Sequence, residues 1–242
     1  MRYAIISDIH SNLEALEAVL KQIEKEHVDK ILCLGDVVGY GPNPNECIDR
    51  VWKSCAIILT GNHDYACVEP AELAYFNRFA KEAINWTLRQ LTKASFEFLG
   101  HFSFIQTVGR FYLTHANPYI PENWDYILSI DDAILNFSKF DGQICFIGHS
   151  HQPIIYIEDH KQKYTLKYER ELPLLDDCRY IINVGSVGQP RDNNPASAFG
   201  LIDTSRKTYE LIRIGYNIEI TRKKMIEARL PEFLADRLLI GR

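Results

Sequence analysis

Residues 3–14 read Tyr3-Ala4-Ile5-Ile6-Ser7-Asp8-Ile9-His10-Ser11-Asn12-Leu13-Glu14, and residues 31–36 read Ile31-Leu32-Cys33-Leu34-Gly35-Asp36. Each is a short apolar run that stops at a polar group. Residues 3–7 and 30–34 therefore predict buried strands. Ser11-Asn12-Leu13-Glu14 has the form of a capping box, and Leu13, Leu16, Leu20 and Ile23 follow at helical spacing, which predicts an amphipathic helix over 12–26. A short helix over 43–53 and a strand over 56–59 complete a strand–helix–strand–helix–strand unit. That alternation implies a mainly parallel sheet with right-handed crossovers.

Beyond it, residues 69–100 predict two helices, the first over 71–91 and carrying Phe76, Phe79, Ala83, Ile84 and Trp86. Tyr75, Phe76, Phe79 and Trp86 read as helix core, while residues 65–105 as a whole form an insert between two ligand segments that can serve as a wall. Strands follow at 102–106 and 110–114, then a helix at 125–139. Short strands at 143–147, 153–158, 163–169, 179–184, 197–203 and 206–214 predict a second, more antiparallel sheet. The expected fold class is α/β, two sheets packed face to face with helices outside. The chain reads as a single domain over residues 1–242, closed by an amphipathic helix over about 221–240.

The chain has 242 residues, 46% of them apolar and 24% charged, with a formal charge of −5. This excludes a disordered, collagenous or disulfide-built protein. No apolar run approaches the ~20 residues of a membrane span. Asp8 interrupts the first apolar stretch too early for a signal peptide. The six cysteines contain no C-x-x-C pair and read as reduced core residues, which fits a cytoplasmic protein. The negative charge argues against sequence-blind nucleic-acid binding.

Five segments placed just after predicted strands carry chemistry: Asp8-Ile9-His10, Gly35-Asp36, Gly61-Asn62-His63-Asp64, Thr114-His115 and Gly148-His149-Ser150-His151. In open α/β sheets, ligands collect at the carboxyl ends of strands. On an extended chain, residues two apart face the same way, so Asp8 with His10, and His149 with His151, each present two groups together. Imidazole plus carboxylate suits Mn, Fe, Zn, Co or Ni better than Ca. The candidate metal ligands are Asp8, His10, Asp36, Asn62, His115, His149 and His151. They exceed the needs of one ion, and two ions sharing Asp36 would use them economically.

The order D-x-H, G-D, G-N-H-D, isolated His, G-H-x-H resembles the calcineurin-like metallophosphoesterase superfamily. The stretch Asn183-Val184-Gly185-Ser186-Val187-Gly188-Gln189-Pro190-Arg191 is similar to the site-closing loop of its small bacterial and archaeal, phosphodiesterase-type members. The resemblance implies a four-layer αββα sandwich and two divalent or trivalent metal ions, with Mn or Fe favoured. Asp8, His10, Asp36 and His151 would hold one ion, and Asp36, Asn62, His115 and His149 the other. It also implies hydrolysis of a small phosphate ester by a hydroxide bridging the two metals, whose water loses a proton near neutral pH. Asp36 and His63 would be the catalytic groups, with His63 stabilising or protonating the leaving group. Asp64 would orient neighbouring groups.

In the protein Ser/Thr phosphatase branch, an Asp that pairs the catalytic His and an Arg that grips phosphate follow the G-D motif. Gly39 and Tyr40 stand at those places here. That departure disfavours a protein phosphatase, favours diesters, and leaves no partner assigned to His63. Arg191 is the replacement candidate for gripping phosphate. Tyr40, Asn62, Asn117 and Tyr119, with Trp124, are the other candidates for substrate contact. Other readings are a nucleotide hydrolase acting on a dinucleoside polyphosphate or cyclic nucleotide, a nuclease, and a catalytically silent metal-binding regulatory module. The sequence does not decide the oligomeric state.

Overall fold

The computed structural model describes residues 1–242. The chain opens with β1 (Arg2–Ile6), α1 (Leu13–Lys25), β2 (Lys30–Cys33), α2 (Pro44–Ser54) and β3 (Ile57–Ile58). Helices α3 (Asn62–Val68), α4 (Arg78–Gln90) and α5 (Lys93–Leu99) follow, with a 3-10 turn at Pro70–Tyr75. Next come β4 (Ile105–Val108), β5 (Phe111–Thr114), α6 (Ile130–Phe137), β6 (Ile144–Ile147), β7 (Ile154–Glu158), β8 (Tyr164–Lys167) and β9 (Glu171–Pro173). Strands β10 (Arg179–Asn183), β11 (Ser197–Asp203) and β12 (Thr208–Ile214) and helices α7 (Ile218–Glu227) and α8 (Glu232–Ile240) end the chain.

Two six-stranded mixed sheets result, ordered β3-β2-β1-β11-β12-β9 and β4-β5-β6-β10-β7-β8. The period-2 alternation of strands explains the layering. Tyr3 and Ile5 of β1 join Ile144 and Phe146 of β6 and Tyr180 and Ile182 of β10 in the core between the sheets. The intervening Ala4 and Ile6 face outward and pack under Leu16, Val19 and Leu20 of α1. On the other sheet, Cys145, Ile147 and Ile181 face Ala133 and Phe137 of α6. Three apolar layers thus separate four layers of secondary structure. All six cysteines are free, five of them buried and Cys55 half-buried. No helix is long and apolar enough to cross a membrane.

Several boundaries differ from the sequence reading. The helix expected over 71–91 is a 3-10 turn followed by α4, because the Asn77 side chain accepts from the Ala80 N–H and starts a new helix. The helix expected at 125–139 begins only at Ile130, where Ser129 and Asp132 form a capping box. The single closing helix is two, α7 and α8, divided at Leu230-Pro231. A proline has no N–H to continue a helix. Strand β9, absent from the sequence reading, is a three-residue edge strand against β12. Ser11 does not cap α1; Asn12 does, through its side-chain oxygen. Glu14 instead bonds Lys224 and Thr221 of α7.

Candidate metal centre

Strands β1, β2 and β3 run parallel, as do β5, β6 and β10. Their carboxyl ends therefore open on one edge of the sandwich, and the loops leaving them are bonded to one another. The N–H groups of Asp8 and Ile9 donate to the carbonyls of Gly35 and Asp36, Gly188 N–H donates to Asp8 O, and Gly148 N–H donates to His115 O. Backbone bonds of this kind fix the side chains before any ligand arrives.

Asp8 (φ +54°), His10 (+50°), Asp36 (+53°), Tyr40 (+56°), His149 (+63°) and His151 (+60°) are all left-handed. Each such residue costs about 1–2 kcal/mol. This corrects the extended geometry assumed for the D-x-H and H-x-H motifs. Turns aim these side chains, and His149 and His151 go to different places. Ligand atoms of Asp8, His10, Asp36 and His151 lie within 4.8 Å of one another, and so do those of Asp36, His115 and His149. Asp36 belongs to both groups.

The donor chemistry fits cations. His10 Nδ1 donates to Val38 O (3.1 Å), His115 Nδ1 to Leu34 O (3.1 Å) and His151 Nδ1 to Gln189 O (2.5 Å). Carbonyls only accept, so these bonds place each neutral ring's proton on Nδ1 and turn a bare Nε2 inward. His10 Nε2 and His151 Nε2 are 3.1 Å apart, and His151 Nε2 is 3.2 Å from Asp8 Oδ1. Asp8 Oδ1, Asn62 Oδ1 and His115 Nε2 are buried with no hydrogen-bond partner. Acceptors converging in this way need a proton or a metal ion among them.

The titration behaviour has the same origin. Burial, then Arg191 and neighbouring histidines, push His63 down to about 4. Burial and His115 take His149 to about 3. Burial also lowers His10 and His151. Burial alone would raise Asp8 and Asp36, yet His151 beside Asp8, and His115 and His63 beside Asp36, hold both carboxyls below their usual range. Burial would lower His115, but Asp36 raises it to about 9. Burial and the charge of Asp36 push Asp64 up to about 7, although its carboxylate accepts from the N–H groups of Gly61, Val37 and Val38. Asp64 thus ties the G-D loop to the G-N-H-D loop.

A cavity of about 110 Å³ beside these groups is lined by Asp36, Asn62, His63, His149 and His151, and by Tyr40 and Arg191. Tyr75, Phe76 and Tyr126 also line it. Tyr75, 85% exposed, is thus not core as the sequence suggested, whereas Phe76 packs against the core and also lines the cavity. They stand on the insert, which turns them toward the site. The sequence reading missed Tyr126, whose ring stacks on His149 at 4.2 Å. Asn117 is not at the cavity: its amide donates to Asp125 O and accepts from Ile120 N–H, so it holds a loop. Tyr119 is exposed and packs under Lys139 instead. Trp124 does not line the cavity, but its ring lies edge-on to His115 at 6.0 Å and packs on the Tyr65–Phe104 pair.

No carboxylate pairs with His63. Its Nδ1 is buried without a partner. Gly39, at φ +93°, lies against the ring so closely that a Cβ there would overlap Nδ1. Packing orients the imidazole instead, with Tyr40 at 4.4 Å and Phe76 at 4.8 Å between ring centres.

The chain is 39% identical to the uncharacterized protein MJ0912 of Methanocaldococcus jannaschii, over 99% of this chain and 98% of the relative. A metallophosphoesterase from Sphaerobacter thermophilus superposes with a TM-score of 0.88 at 37% identity, covering 100% of both chains. The hypothetical protein PH1004 of Pyrococcus horikoshii shares the fold at a TM-score of 0.81 and 18% identity, over 100% of this chain and 98% of that one. The model of the calcineurin-like phosphoesterase superfamily domain matches residues 1–207. On that match and these likenesses, the chain belongs to the calcineurin-like phosphoesterase superfamily.

Proposed function

We propose that this chain, as one domain, is a metal-dependent hydrolase of small phosphate esters, with diesters preferred. The observation that carries the reading is the convergence of partnerless acceptors on both sides of Asp36. Asp8, His10, Asp36 and His151 would hold one ion, and Asp36, Asn62, His115 and His149 a second, with Mn or Fe the favoured pair. When bound, the ions supply positive charge that acidifies water and neutralises phosphate oxygens.

The chain's own groups do the rest. Asn62 and Tyr40 face the cavity and would orient the phosphoryl group. His63 would donate a proton to the leaving oxygen; a phosphate beside the imidazole raises its proton affinity from the low value that burial imposes. Tyr40, in place of a second guanidinium next to His63, leaves the phosphoryl group with less opposing charge, which suits the single charge of a diester. Arg191 caps the cavity and is held by Gln189 Oε1. The cavity walls exclude bulk water from these groups.

The test is hydrolysis of bis(p-nitrophenyl) phosphate by protein loaded with Mn²⁺. His10→Ala and Asp36→Asn should each abolish it. Turnover that survives both changes refutes the site. Tight binding of two ions with no turnover on a broad ester panel would instead favour a regulatory module.

A further inference from the structure

At the end of the sandwich remote from Asp8 and His149, where β1, β5 and β6 begin, a cleft of about 590 Å³ opens between the two sheets. Sites that hold small molecules run from about 300 to about 1,000 Å³. Tyr3 of β1 and Ile202 of β11 form the floor on one side, and Phe111 of β5 and Ile144 of β6 on the other. Leu174, just after β9, closes it. All five belong to the core between the sheets. No helix contributes a lining residue, so this end of the core stays open to solvent.

The rim is polar. The turn from β4 to β5 supplies Arg110, and the turn from β11 to β12 supplies Thr204 and Lys207. Gln143 and Asp176 complete it. Most of these groups are already engaged. The Thr204 hydroxyl donates to Met1 O at 3.0 Å, and the Gln143 amide donates to Leu175 O at 2.8 Å. Lys207 is paired with Asp176. The Arg110 carbonyl accepts from the N–H groups of Gln143 and Ile144, which holds its backbone at the rim. Its exposed guanidinium has no acid of its own, because Asp176 serves Lys207. Two cations thus face one acid, and a single negative charge would balance them.

Water over an apolar floor finds few partners. An apolar chain gains in proportion to the area it covers there. A guanidinium fork fits the two oxygens of a carboxylate. We propose that this cleft is a second binding site, for a medium-chain carboxylate whose chain lies between the sheets and whose charge is gripped by Arg110. Strands β1 and β6 run from Tyr3 and Ile144 towards the loops that bear Asp8 and His149. The cleft and the metal centre therefore occupy opposite ends of the same strands. Binding in the cleft requires no metal, and so stands apart from the phosphoesterase reading.

The test is titration calorimetry on the purified full-length chain, with decanoate, butyrate and decanol below micelle-forming concentrations. Decanoate should bind once per chain. It should bind roughly a hundredfold or more tighter than butyrate, since each methylene buried is worth about fourfold. Arg110→Gln should weaken decanoate about tenfold and leave decanol unchanged, as expected for loss of a charge-assisted pair. Arg110→Lys should restore part of the loss. Val108→Trp, at a half-buried residue of the cleft wall, should block both decanoate and decanol.

Melting temperatures recorded without ligand verify that each variant is folded. Equal affinities for butyrate and decanoate, or a decanoate affinity that Arg110→Gln leaves untouched, overturn the site. His10→Ala should bind decanoate like the wild type. Loss of binding in that variant would place the carboxylate at the metal centre and overturn the site as well.

Discussion

The Nε2 atoms of His10 and His151 face each other at 3.1 Å, while each ring's Nδ1 is committed to a backbone carbonyl. An ion that enters this gap binds the folded chain and not the unfolded one. At a hundred times its Kd it adds about 2.7 kcal/mol of stability. For a chain of this length that is about 5–10 °C in Tm. Scanning calorimetry with Mn²⁺ should show the rise, and chelator should reverse it. His10→Ala should keep only the part of the rise that the ion held by Asp36, His115 and His149 would supply; a full rise in that variant refutes His10 as a ligand.

Asn62 presents a buried oxygen with no partner. Asn62→Ala should reduce bound metal from two ions to about one by elemental analysis, with ester turnover down ~10²-fold or more. Retention of both ions would show that His115 and His149 suffice.

Gly39 is held at φ +93° against His63. Gly39→Ala should displace the imidazole and lower kcat by ~10²-fold or more, the usual range for a lost proton donor. Metal stoichiometry should stay the same. A variant with wild-type kcat would show that the ring's placement is irrelevant to turnover.

Asp64 accepts from three buried N–H groups on two loops. Asp64→Ala leaves them unsatisfied and should cost about 2–5 kcal/mol in urea unfolding. Asp64→Asn keeps one acceptor oxygen and should fall between. A loss under 1 kcal/mol in Asp64→Ala would mean that water replaces the carboxylate.

What the sequence reveals divides along physical lines. Alternation in Tyr3-Ala4-Ile5-Ile6 and Ile144-Cys145-Phe146-Ile147 exposes the layers, because each strand is buried on both faces. The groups clustered around Asp36 are visible because they sit where apolar strands stop. Their directions are not visible, since left-handed turns carry no periodic signal. Some misread elements had signals of their own: Asn77 before α4, Ser129 before α6 with Asp132 in its first turn, and Pro231 before α8. Tyr126 had none. An exposed tyrosine in a loop looks ordinary until tertiary structure stacks it on His149.

Strand β1 lies between β2 and β11, and its register pairs Arg2 with Asp203. Of the two neighbours of the strand that leads into Asp8 and His10, β2 is close in the chain, whereas β11 lies nearly two hundred residues further along. Pairings of such sequence separation fold slowly, because long loops must close before any contact rewards them. All seven candidate ligands, from Asp8 to His151, precede β11 in the chain, yet the strand that carries Asp8 gains its second neighbour only when β11 pairs with it. An ion captured among them would seal that long-range pairing rather than seed it.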